Sequence, residues 1–449
     1  MSSSIHIRRS PMLELILLLA VISSAFQYCL GEQEATRALS LAEALQIVLH
    51  QNPTVQIAEI DSSLAKQEQR RAVAALLPHA SMGASEAVNR TNVESSLGTT
   101  AGFLPQHEGP FQVITAGTQF SASVFNAALL ERYRAERSSH AASLADVKAT
   151  REQIVQLVVN QYLLCLRLES TARAEQAQVT LAQRLFDQAT HLEEAGASAG
   201  LDTVRASQKL KRQQQALIVA REEAQTGLYE LVHLLNLPSS TTVTLSDSEE
   251  YLNHTFSGKE VTIEAAYARR PELIALRGHI EAAKRDLASA RGERLPSVSI
   301  GGSWNEQGNR FDNLIPAYRY EAGLSIPLFT GGRIRSEVAS STLRIDQLKQ
   351  QEQELKNRIA QDVKTAAVRL EAALQEIAVA DDGLNLAQKE VNQARDRFEA
   401  GATGNIEVVT AQDTLARAYD DQISALFKVN QAKADLARSV GYIEATYCK

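Results

Sequence analysis

Apolar residues recur at threes, fours and sevens from Leu355 to Phe398. Leu355, Ile359, Val363, Ala366, Leu370, Leu374, Ile377, Leu384, Val391, Ala394 and Phe398 trace a coiled-coil-like seam. The seam lies in a proline-free segment between Phe329 and Gly401, and a second such segment runs from Phe125 to Gly196. Their lengths differ by one position, 72 against 71 (401−329 and 196−125). A helix of about 65 residues reaches roughly 100 Å, more than a globular domain needs. Each segment ends at a glycine turn, Gly196-Ala197-Ser198-Ala199-Gly200 or Gly401-Ala402-Thr403-Gly404, followed by a helical pattern to about Leu235 or Val440. The pattern predicts two long antiparallel helical hairpins.

Ahead of each long helix the period changes to two. From Tyr318 to Ile326 every even position is apolar and every odd one polar or glycine, the pattern of a half-buried strand. Val298, Ile300 and Trp304 continue it. In the first half Ile114, Ala116, Phe120, Ala122 and Val124 alternate with Thr115, Gly117, Gln119, Ser121 and Ser123, opposite a partner strand expected at 79–88. Turn-rich stretches from Asn89 to Pro110 and from Asn305 to Ala317 read as loops. Pro53 and Pro271 each begin a helix of about 24 residues, since proline at the first helical position lacks only an N–H that would be orphaned. Ile57, Ile60, Leu64 and Ala65 recur at helical spacing in the first, and Leu276, Ile280, Ala283 and Leu287 in the second. Pro78 and Pro296 end them.

The two halves are copies. Pro53 and Pro78 reappear 218 positions later (271−53 and 296−78), Phe125 reappears 204 later as Phe329, and Gly196 reappears 205 later as Gly401. The 14-residue difference (218−204) falls in the strand hairpin, where a loop tip tolerates insertion. The expected organisation is a first repeat over 32–237, a Ser/Thr-rich linker over 238–261, a second repeat over 262–441 and a mobile tail over 442–449 that includes Cys448.

Residues 1–31 read as a secretory signal. His6, Arg8 and Arg9 precede the apolar run from Leu13 to Ile22, with cleavage expected after Gly31 or Ala25. A lipoprotein reading at Cys29 competes, against the bulky Phe26-Gln27-Tyr28. Cys165 lies in an apolar stretch and reads as a buried small hydrophobe. The net charge of −7 is spread over interspersed acidic and basic residues, which argues against a nucleic-acid partner. Nine scattered histidines and no HExxH or CxxC leave nothing for catalysis, a metal or a cofactor. Four strands of about 9–11 residues have the length that crosses an outer membrane. Four cannot close a barrel, and an open edge in lipid costs several kcal/mol per unpaired backbone group, so other copies of the chain must complete it. The competing reading of the residues alone is a soluble periplasmic coiled-coil scaffold.

The chain resembles the TolC-like outer-membrane efflux channels over about residues 40–441. The carrying features are Asn52-Pro53 and Arg270-Pro271, Leu77-Pro78 and Leu295-Pro296, the stretch Ile326-Pro327-Leu328-Phe329-Thr330-Gly331-Gly332-Arg333, and Phe398-Glu399-Ala400-Gly401 followed by Ala411-Gln412. The resemblance implies a mixed α+β membrane protein. A homotrimer would form one 12-stranded barrel in outer-membrane lipid and a tunnel of long helices in the periplasm. It further implies a periplasmic adaptor and an inner-membrane pump as partners, with the channel itself passive.

Asp202 stands six residues after Gly196 and Glu407 six after Gly401, so three copies would place 3×2 carboxylates near one level of the pore. Acidic rings favour cations. The competing reading is that a carboxylate in a helix's first turn only complements the helix dipole. By resemblance Thr410 and Phe398 also belong to the constriction, although an acid and a tyrosine can stand there in the family. Arg205 and Arg397 are placed to pair with the two carboxylates. Gly196, Gly200, Gly401 and Gly404 mark the turns that would receive the adaptor. Trp304, Tyr318 and Tyr320 suit an interfacial aromatic girdle or packing between protomers.

Overall fold

The computed structural model of the chain describes residues 37–93, 107–196, 200–247, 262–400 and 402–448. The signal segment with Cys29, most of the linker and Gly401 lie outside the described residues.

The first repeat runs β1 (Arg37–Leu39), α1 (Leu41–Gln51), α2 (Pro53–Ala74), β2 (His79–Asn92), β3 (His107–Phe125), α3 (Ala127–Glu194) and α4 (Gly200–Leu234). After β4 (Val243–Leu245) the second runs α5 (Ile263–Arg269), α6 (Pro271–Gly292), β5 (Ser297–Gly308), β6 (Ile315–Ser325), α7 (Arg333–Glu399) and α8 (Asn405–Val440), with α9 (Ile443–Tyr447) at the end. The long helices α3 and α7 have 68 and 67 residues.

Local chemistry sets the boundaries. Ser40 and Glu43 form a capping box on α1. Asn52 accepts from Thr54 N at 2.9 Å, starting α2, while its amide donates to Leu234 O at 3.0 Å. Asn126 caps α3 by accepting from Leu129 N at 3.1 Å. The equivalent entry to α7 uses Gly332 at φ 86, a left-handed conformation that a side chain resists. The first repeat therefore manages without the glycine pair because a capping amide does the same job.

The strands are longer than expected. β2 continues to Asn92, β3 begins at His107, β5 reaches Gly308 and β6 begins at Ile315, because ladder hydrogen bonds extend the pairing through polar residues. The C-terminal segment is not a free tail. Ile443 and Tyr447, one turn apart on α9, are buried in the core formed by Leu45, Val48, Val155, Tyr162 and Leu235. Cys448 is half-buried, and Glu444 accepts from Arg151 at 2.7 Å. In the same core β1 pairs in parallel with β4, and the Tyr162 hydroxyl lies 2.8 Å from Asp247 Oδ2.

The helices lie side by side in one layer. Next to the strands the order is α2–α3–α6–α7, and toward the glycine turns it is α4–α3–α8–α7. Between these zones lies a buried ionic cluster that joins four helices. Arg438 on α8 donates to Glu152 on α3 at 3.0 Å and contacts Glu272 on α6. Arg270, at the N-cap of α6, reaches Asp362 on α7 at 2.5 Å and donates to Ser439 O at 3.0 Å. Burial pushes the Glu152 carboxyl up from 4.5 to about 7, with Arg438 opposing and Glu272 reinforcing the shift. The folded state thus holds this proton where the unfolded chain releases it, so this group's contribution to stability falls as pH rises from 4.5 to about 7. Glu272 acts oppositely, its carboxyl lowered by Arg438 against burial. Glu152→Gln is expected to lose less stability than the parent between pH 5 and 7.5 in circular-dichroism melts; parallel slopes would contradict the assignment.

Candidate channel wall and periplasmic entrance

The four long strands form one antiparallel sheet in the order β2-β3-β5-β6, leaving β2 and β6 as unpaired edges. Register gives the sheet two unlike faces. The rows Ala80–Phe120–Gly302–Tyr320 and Met82–Thr118–Trp304–Tyr318 share one face. The alternate rows Ser81–Gln119–Ser303–Arg319 and His79–Ser121–Gly301–Glu321 share the other. The apolar face lies open to its surroundings: Met82, Trp304, Tyr318 and Leu324 are all exposed. Trp304 stacks on Tyr318 with centroids 5.9 Å apart, and Tyr320 lies 5.8 Å from Tyr318 and 6.3 Å from Phe120. The three aromatics singled out by sequence thus meet in one patch, with Phe120 added. An exposed apolar face backed by a polar one is a wall between lipid and water.

At the opposite end, Asp202 lies in the first turn of α4 and Glu407 in the first turn of α8. Arg205 Nη1 is 3.8 Å from Asp202 and Arg397 Nη1 is 3.5 Å from Glu407, so each carboxylate faces the arginine expected for it. Thr410 is exposed and donates to Ile406 O at 2.8 Å. Phe398 is only 9% exposed and packs with Leu185, Ala189, Ala206, Val408 and Val409. Its side chain belongs to the core between the hairpins and does not line the wall, as its seam position requires. Gly196 ends the α3 turn at φ 70, Gly200 opens α4 and Gly404 precedes α8.

The outer membrane efflux protein family model matches residues 44–237 and 262–442, one block in each repeat. The chain belongs to the outer membrane efflux protein family. This efflux protein is 26% identical over 401 residues to the pyoverdine export outer membrane protein OpmQ of Pseudomonas putida, covering 84% of this chain and 81% of that one. The OpmQ of Pseudomonas aeruginosa is 25% identical over 318 residues, 69% of this chain and 65% of its own length. The fold is that of the Campylobacter jejuni CmeC outer membrane channel, with a TM-score of 0.78 at 16% identity over 90% of this chain and 86% of that one. The protein is thus an outer-membrane conduit with a tunnel extending into the periplasm, and not an enzyme.

Sequence reasoning passed over one charged pair of this efflux protein near the entrance. Lys209 on α4 has a side chain only 3% exposed and contacts Asp413 on α8, tying the two hairpins together. At the displacement of 205 that relates Gly196 to Gly401, the counterpart of Lys209 is Thr414, one position past Asp413, so the duplication did not announce the pair.

Proposed function

We propose that three copies of this efflux protein close into one tube that passively carries exported molecules through the outer membrane. One observation supports closure above the rest. On α6, Ala275, Gly278 and Ala282 lie on the side that meets the preceding repeat's helix α3, where a Cβ on Gly278 would lie 2.7 Å from Ala142 Cβ. The positions 218 residues earlier on α2 are Ile57, Ile60 and Leu64, each 58% exposed. Their spacing reads as a core face, yet among the described residues of one chain nothing covers it, because α2 is the edge of the helical layer. Repeat logic assigns the missing neighbour to α7 of an adjacent copy. The same step joins β6 of one copy to β2 of the next, and with four strands per chain three copies give a 12-stranded barrel.

Shifting the Gly278–Ala142 contact by one repeat pairs position 60 with position 346 (278−218 and 142+204). The variant I60C/D346C is expected to oxidise to covalent trimers on a denaturing gel. Only monomers after oxidation of membrane-extracted protein would sink the closed tube. The soluble scaffold alternative is disfavoured by family membership, and conductance in planar bilayers separates the two directly.

In this assembly Asp202 and Glu407 supply six carboxylates at the entrance, with Arg205, Arg397 and Thr410 beside them. D202N/E407Q is expected to bring the potassium-to-chloride permeability ratio down toward one and to weaken blockade by multivalent cations. Unchanged reversal potentials would leave the carboxylates a helix-dipole role only. A periplasmic adaptor docks at the turns around Gly196, Gly200, Gly401 and Gly404, and an inner-membrane pump supplies the energy, as in tripartite efflux or type I secretion. Trp304, Tyr318 and Tyr320 anchor the barrel in outer-membrane lipid.

A further inference from the structure

A cationic pocket lies on the helical layer just below the sheet. Arg134, Arg137, Ser138 and Ala141 of α3 and Arg285 of α6 line an open cavity of about 390 Å³. Glu131 is shared by two of the three guanidiniums, contacting Arg134 and lying 3.6 Å from Arg285. Glu281 accepts from Arg285 at 3.2 Å and also lies 3.4 Å from Lys284. Arg137 makes no ion pair among the described residues. Three lining guanidiniums thus share two carboxylates, with Lys284 beside Glu281.

The pocket's direction follows from the neighbours of α3. Ala128, Ala142 and Asp146 meet α6 through Ser289, Gly278 and His279, while Ser143 and Arg151 meet α2 through Ser62 and Glu59. At 3.6 residues per turn these stripes lie roughly 120° apart around α3. Arg134, Arg137 and Ala141 occupy the wide remaining sector, together with the exposed Leu130 and Leu144. In a closed ring each helix sees its neighbours at less than 180° on the lumen side, so the wide sector faces outward.

Its height follows from the chain. α3 starts two residues after β3 ends, and Arg134 and Arg137 lie about 10–15 Å along its axis. Helical side chains lean toward the N-terminus, so both guanidiniums reach back toward the sheet. Between pocket and sheet runs a rim of exposed apolar residues at the strand–helix junctions: Leu77, Phe125, Leu295, and Leu328 and Phe329 at 94% and 91% exposure. The N-termini of α3 and α7 point at this layer with no acidic residue in either first turn, so no first-turn carboxylate offsets the positive ends of the two helix dipoles.

We propose that this pocket holds the phosphate of an anionic phospholipid from the periplasmic leaflet, with the apolar rim among the acyl chains. Guanidiniums bind phosphate oxygens in bidentate fashion. The surplus of positive charge disfavours a zwitterionic headgroup, whose ammonium would be repelled. The inference rests on the closed outer-membrane tube.

The test uses full-length protein in nonionic detergent, titrated with dioleoylphosphatidylglycerol, dioleoylphosphatidylethanolamine or inorganic phosphate and read by bound lipid and by the helical melting midpoint. Phosphatidylglycerol is expected to bind at least tenfold more tightly than phosphatidylethanolamine and to raise the midpoint, with inorganic phosphate ineffective. Each cation at an anionic lipid surface is worth roughly fivefold, so R134Q/R137Q should weaken phosphatidylglycerol binding about twentyfold. R137Q alone, which breaks no ion pair, should weaken it about fivefold and melt like the parent without lipid. Equal binding of the two lipids, an equal effect of inorganic phosphate, unchanged binding by R137Q, or preferential capture of carboxylate-bearing cell-wall fragments would each overturn the proposal. Absence of conductance and of covalent trimers would instead strike the tube itself.

Discussion

Replacing Arg438 with methionine is expected to destabilise the efflux protein by about 3–5 kcal/mol, the usual result of removing one partner from a buried ion pair. The Arg438 side chain is 10% exposed and lies between Glu152 at 11% and Glu272 at 26%. Without it, Glu152 loses the guanidinium that contacts it, and Glu272 keeps Arg270, at 3.7 Å. Methionine fills similar volume, so the loss reports charge and not a cavity. The double variant R438M/E152Q should recover part of the loss, because a neutral amide tolerates burial better than an orphaned carboxylate. Arg358→Met, which removes an exposed pair with Glu354, should move stability by less than about 1 kcal/mol. Thermal and urea unfolding in detergent measure all three. An R438M protein as stable as the R358M control would show that the cluster does not hold the four helices together.

Gly117→Val is expected to reduce outer-membrane yield and conductance at least tenfold while the helical signal persists. Gly117 pairs with Asn305 across the β3–β5 ladder, which is the junction between the two repeats within the sheet. A Cβ there would sit 2.3 Å from Trp304 O and 2.5 Å from Asn305 Cα. Overpacking usually costs about 1–3 kcal/mol, and backbone atoms cannot rotate away as side chains do. The ladder must therefore part, splitting four strands into two isolated hairpins. Gly83 gives the matched control: it pairs with Gly117 from β2, yet a Cβ at Gly83 meets nothing within 4 Å. Gly83→Val should reach the membrane normally. Equal yields of the two variants, measured by fractionation, would refute the steric argument.

The sequence made much of the architecture legible because duplication records it twice. Matched prolines, phenylalanines and glycines located every long element, and the strand periodicity foresaw the aromatic patch of Trp304, Tyr318 and Tyr320. The pairing of Asp202 with Arg205 was readable from three-residue spacing within one helix turn. The pairing of Lys209 with Asp413 was not, since it needs two hairpins side by side. Phe398 illustrates a different failure: position near the entrance suggested a constriction, whereas its place in the apolar seam fixed its burial. The C-terminal residues looked like a tail because five helical residues carry too little pattern to read, and only the apolar core between α1 and α3 shows why Ile443 and Tyr447 fold back.

The sequence by itself determined where the long helices and the two strand hairpins lie, because these depend on local spacing and on prolines and glycines. It also carried the expectation that other copies complete the sheet, because four strands leave two edges. Tertiary structure alone decided which apolar stripes are covered within the chain. Ala275 and Ala282 are buried and Gly278 abuts Ala142, while Ile57, Ile60 and Leu64 stay exposed, although both sets occupy the same place in their repeat. Likewise the charges of Glu152, Arg270, Glu272, Asp362 and Arg438 are scattered along the chain and meet only where four helices converge. Periodicity gives the face of a helix; what that face meets depends on how distant segments pack, which is a property of the assembled layer.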